Sequence, residues 1–208
     1  MAFWSSAFFH ILLLCGMIGN LVLPYSWGWI WRTYHPLKND TILLSDPDSP
    51  VCWIQRIWRL ILGVIFILSG IMLYHSLESG IHLDLFLLLS MIFYGSFGCI
   101  LPAFFSLTDI KYVESGPAKL HNLSYLIGCI FLQITSICAA TSCFERGHTM
   151  LGAIFSILTF VNVFVFIFYN MSDRKECEGT IIGYEGVWEF LFHLLAYIPL
   201  GYLTLFTM

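Results

Sequence analysis

Residues 150–169 read MLGAIFSILTFVNVFVFIFY, twenty positions without an Asp, Glu, Lys or Arg. As an α-helix rising ~1.5 Å per residue, this run covers ~30 Å, the depth of a bilayer's hydrocarbon core. A transmembrane strand would be ~10 residues long and would alternate apolar with polar, and this run does neither. The stretch therefore reads as a membrane-spanning helix.

Five further apolar runs flank it, over 2–23, 57–75, 85–107, 120–142 and 181–207. Pro102 interrupts the run 85–107. No Lys or Arg precedes the run 2–23, and it is longer than the core of a signal peptide, so it is expected to remain as a helix. After it, Trp27, Trp29 and Trp31 read as an interfacial aromatic anchor. Six spans of ~20 residues use ~120 residues, which leaves no room for a separate soluble domain. The expected fold is all-α, a polytopic transmembrane bundle of six helices forming a single integral membrane domain over 1–208.

Composition points the same way. Hydrophobic residues make up 59% of the 208-residue chain and charged residues 11%, where a soluble domain carries about 25% charge. Mean hydropathy is +0.83. These values exclude a water-soluble globule, a disordered chain and a small disulfide scaffold. A net charge of −4 also argues against a nucleic-acid partner, and the bilayer is the expected surrounding. The seven cysteines include no CxxC pair, so neither a zinc site nor a disulfide framework is legible.

The cations sort by connection. Arg32, Lys38, Arg56, Arg59, Lys111, Lys119, Arg174 and Lys175 fall in connections one, three and five, and Arg146 lies opposite. The positive-inside rule then puts those connections in the cytoplasm and both termini outside. Acceptor triplets at Asn39, Asn122 and Asn170 lie on that inner side or at its edge and are expected to stay unmodified.

Polar residues collect on the same side. The first connection holds Asp40, Ser45, Asp46 and Asp48, all turn-forming types, and Ser49 is expected to cap a helix that begins at Pro50. The fourth span opens on His121, with Tyr125 four residues further along one face. In the last span Glu185, Glu189 and His193 are spaced i, i+4 and i+8, one stripe down a helix. A carboxylate facing lipid costs a few kcal/mol, so Glu189 is expected to turn inward, with Arg56, Arg59 and Lys119 as available partners. Converged on one rim, these segments are expected to enclose a half-buried pocket. Its binding candidates are Asp40, Ser45, Asp46, Asp48, His121, Glu185, Glu189 and His193. One version of the pocket sets Asp46, His121 and Glu189 around a divalent metal. Elsewhere, His10 reads as an isolated polar residue of the first span, and Asn20 reads with Gly16 and Gly19 as a close helix contact.

The order of motifs resembles a known family. An Asp/Ser/Pro-rich connection (Asp40, Ser45, Asp46, Asp48, Ser49, Pro50) is followed by Pro102 ending the third span, Leu120-His121 opening the fourth, and Gly186, Trp188 and Glu189 opening the last. The arrangement is similar to the prokaryotic six-helix membrane family catalogued as domain of unknown function 998, over roughly residues 9–205. The family pattern leads one to expect an Arg after the last Glu, where this chain has Phe190. The resemblance implies a multi-pass protein of a prokaryotic cytoplasmic (inner) membrane and supplies no activity.

Three functions fit these residues. The first is binding or transport of a cation, proton or small polar solute at the inner rim. The second is a metal-dependent or acid–base hydrolase or transferase acting on a lipid head group or lipid-linked substrate. The third is a non-catalytic subunit that docks on another membrane protein, or on a second copy of itself as a homodimer.

Overall fold

The computed structural model describes residues 7–77, 81–105, 116–172, 174–177 and 179–207. Among the described residues every regular element is helical. The spans are α1 (Ala7–Gly28), α2 (Cys52–Ser76), a composite third span, α5 (Gly116–Glu145), α6 (Thr149–Ser172) and α7 (Glu185–Thr207). The composite span joins α3 (Ile81–Phe93), a π-helical turn (Tyr94–Ile100) and α4 (Leu101–Phe104). Among the described residues six helices are thus long and apolar enough to cross a membrane, as expected. The beginning of the first expected span, the end of the third, and Lys111 lie outside the described residues.

The differences in span limits have local causes. The first helix continues through Pro24 to Gly28, because a proline removes one backbone bond without having to end a membrane helix. In the third span Pro102 does not form the end; the helix runs on through it from the π-helical turn to Phe104, as a membrane helix can. The second span starts at Cys52, with Val51 as its cap and no capping bond from the Val51 side chain. Ser49 Oγ accepts from Val51 N–H at 3.3 Å, the capping bond expected of it, and Cys52 N–H reaches the Ser49 carbonyl at 3.1 Å, so a tight turn leads into the α-helix.

Packing is closest where glycines meet. A Cβ on Gly128 of α5 would collide with the backbone of Gly98 in the π-helical turn, so the two helices touch main chain to main chain. This approach sets Tyr125 and Tyr94 beside each other's helices. The core around them holds Phe66, Leu132, Phe192 and Leu200, all fully buried. Outward faces carry Ile157, Phe160 and Phe164, as lipid-facing positions should.

Residues 29–51 do not trail into solvent. Trp27 and Trp31 pack with Tyr34, Leu44 and Val51 into a small second core at one end of the bundle. Of the three tryptophans read as an anchor, only Trp29 is largely exposed, at 83%. A 3-10 turn, Thr41–Ser45, lies within this segment. The segment rests directly on the start of α7, where a Cβ at Gly186 would strike the carbonyl oxygens of Pro36 and Asn39. It acts as a plug over that end.

Candidate functional site

The stripe of α7 faces inward, since Glu185, Glu189 and His193 are all buried. Glu189 is 2% exposed. A buried carboxylate only accepts hydrogen bonds, and every carbonyl of its own helix accepts too, so its donors must come from other elements. Three do. Thr41 N–H donates to Oε2 at 2.7 Å, Thr41 Oγ1–H to Oε1 at 2.6 Å, and Tyr125 O–H to Oε1 at 3.2 Å.

Local chemistry aims Thr41. Asp40 caps the 3-10 turn by accepting from Leu43 N–H at 3.2 Å, and its other oxygen accepts from Tyr169 O–H at 3.2 Å. Gln55 Nε2 donates to Thr41 O at 3.2 Å from the first turn of α2. With its carbonyl held from one side, Thr41 presents both donors to α7. Tyr34, in the plug above, is a buried phenol. Desolvation first, then the carboxylates of Glu189 and Asp40, push its pKa above the usual range, so it stays neutral.

Arg59 supplies the positive charge. It stands seven residues into α2, roughly 10 Å below the helix start at ~1.5 Å per residue. Only 5% of it is exposed. Its guanidinium lies over the Tyr125 ring at 5.5 Å, a cation–π contact. Its Nη1 has no hydrogen-bond partner among the described residues. Arg59 and Glu189 line one cavity together with Thr41, Tyr94, Cys99 and His193. The volume open to the centre of a water molecule is about 10 Å³, enough for one water.

Below the cavity the polar groups continue toward mid-bundle. His193 Nδ1 bonds the Glu189 carbonyl at 3.0 Å, which makes Nδ1 the protonated ring nitrogen of the neutral imidazole. Asn20 Nδ2 donates to Tyr197 O–H at 3.0 Å, and the Tyr94 and Tyr197 hydroxyls meet at 2.9 Å. Asn20 is therefore part of a hydrogen-bond network as well as of a helix contact.

The remaining expected site residues are used differently. Asp46 is buried, and its Oδ1 accepts from Asp48 N–H at 2.8 Å, shaping the loop. Asp48 is exposed. Ser45 contributes its carbonyl, which accepts from Arg56 at 3.0 and 3.3 Å. His121 is buried, and its Nδ1 donates to Phe105 O at 2.6 Å, at the exit of α4. None of Asp40, Ser45, Asp46, Asp48, His121 and Glu185 lines the cavity. Asp46, His121 and Glu189 do not gather as a metal-ligating set, and among the described residues no group of three or more His, Cys, Asp or Glu is placed to hold a metal ion. The structure thus brings Glu189 and His193 together and adds residues that sequence reasoning valued for other reasons. Arg59 stood there as a topological charge and one of three available partners, and Tyr125 only as a neighbour of His121. Thr41 appeared only as the third residue of the Asn39 acceptor triplet.

No protein-family model matches the chain, and neither a curated protein nor a solved structure matches it.

Proposed function

We propose that the protein binds and passes protons at Glu189, as a proton-linked membrane protein whose working site lies under the plug formed by residues 29–51. The observation that carries this reading is the buried pair of opposite charges, Arg59 and Glu189, around a space for one water. A charge costs a few kcal/mol in a membrane helix, and charged groups inside membrane spans mark ion and proton pathways. Among cation, proton and small polar solute, the size of the cavity favours the proton. A space of about 10 Å³ admits no organic solute.

The distribution of Lys and Arg supports placing this end of the bundle in the cytoplasm. An inner bacterial membrane is part of the same proposal. The hydrolase reading needs a set of metal ligands or a nucleophile with its base, and His121 and Asp46 are bound elsewhere.

Reconstitution tests the proposal. Liposomes containing the purified protein and a pH-sensitive dye should dissipate an imposed proton gradient, and those containing Glu189→Gln should hold it. Equal leak from both would end the proton reading. Co-purification with a second membrane protein, with no leak from either, would move the protein to the docking class.

A further inference from the structure

We propose that the cavity beside Arg59 is a binding site for one water molecule, and that this water connects the Glu189 carboxylate to the His193 imidazole. The inference rests on the proton reading of Glu189 and names the group that receives the proton.

The argument starts from the guanidinium. Arg59 is buried, yet Nη1 meets no acceptor among the described residues. A charged donor removed from water and left unsatisfied is strongly disfavoured. The Tyr125 ring attracts the face of the cation, 5.5 Å away, and leaves the N–H groups in its plane unused. Glu189 accepts from Thr41 and Tyr125 and makes no bond with Nη1. Something else must accept from Nη1, and the space available is about 10 Å³.

Chemistry selects water among occupants of that size. A cation would face Arg59. A halide would accept from Nη1 but would lie against the Glu189 carboxylate with no proton to offer it. Water accepts from Arg59 and donates onward, and a buried water ordinarily needs two to four polar partners. His193 lines the same cavity. Its Nδ1 is committed to the Glu189 carbonyl, so Nε2 is the ring nitrogen that can take a proton. The transfer balances. Protonated Glu189 gives its proton to the water oxygen, the water gives a different proton to Nε2, and carboxylate, water and imidazolium result. Arg59 is a positioning residue in this scheme, because it holds the water and exchanges nothing.

The test fills the cavity while sparing the titrating groups. Cys99 lines it, so Cys99→Leu should expel the water. In liposomes Cys99→Leu should lower proton flux at least tenfold, and Thr204→Val, at a buried site that does not line the cavity, should stay within twofold of wild type. A folded Cys99→Leu protein with wild-type flux would overturn the bridge. If Glu189→Gln is inactive in the same assay, the proton reading survives that loss; if Glu189→Gln is active, both fall. Should Cys99→Leu fail to fold, an experimental structure of the wild-type protein decides. Water density within hydrogen-bond distance of Arg59 Nη1 would support the site, and a resolved cavity without density would overturn it. A thermal transition that shifts when chloride replaces gluconate would assign the space to a halide and also overturn it.

Discussion

Two regions of the bundle treat buried polar groups in opposite ways. Along α6 and toward the end of α7, hydroxyls bond back onto their own helix. Thr159 donates to Phe155 O at 2.8 Å and Thr204 to Leu200 O at 2.7 Å. Each is satisfied within one turn and asks nothing of its neighbours. At the plugged end the reverse holds. Glu189 draws its donors from the 29–51 segment and from α5, and Arg59 lies over a ring of α5. A hydroxyl can be hidden in a membrane helix by its own backbone, but a carboxylate or guanidinium cannot. Its presence commits several elements to one place.

The contrast predicts a ranking of substitutions, readable as unfolding free energies in mixed micelles. Arg59→Met should cost the most, about 3–5 kcal/mol, because it strands Glu189 without its counter-charge. The double variant Arg59→Met with Glu189→Leu should be more stable than the sum of the single losses; simple additivity would mean that the two charges do not interact. Gly186→Ala should cost about 1–3 kcal/mol, since the new methyl pushes against the Pro36 and Asn39 carbonyls and lifts the plug. Faster amide exchange over residues 35–45 in that variant would report the lifting directly. Thr41→Val removes one donor to a charged acceptor and keeps the backbone N–H, so about 1.5 kcal/mol is expected. Thr204→Val, at a site just as buried, should fall within about 0.5 kcal/mol of wild type. A Thr204→Val loss equal to that of Thr41→Val would break the distinction between the two regions.

The spans were legible because one-dimensional physics decides them. A run such as 150–169 has no soluble alternative, and the i, i+4, i+8 spacing of Glu185, Glu189 and His193 places them on one face whatever surrounds the helix. The inward turn of Glu189 followed from the cost of exposing it to lipid. Its partners did not follow. Arg56 and Arg59 are three residues apart on α2, and only the three-dimensional packing sends the first to the Ser45 carbonyl and the second over Tyr125. His121 and Tyr125 share a face, yet His121 is taken by the Phe105 carbonyl at the end of a broken third span. That break includes a π-helical turn which Pro102 alone does not foretell. Thr41 could not be singled out, because its role depends on where the plug folds, and turn residues fix a local shape without fixing its docking.

Infrared difference spectroscopy of the reconstituted protein measures the central claim most directly, since a protonated buried carboxyl has a C=O stretch separate from the amide bands. Acidification should raise such a band in the wild-type protein, and the band should be missing from Glu189→Gln. A band of equal size in the variant, or none in the wild type across the range where the protein stays folded, would contradict proton exchange at Glu189.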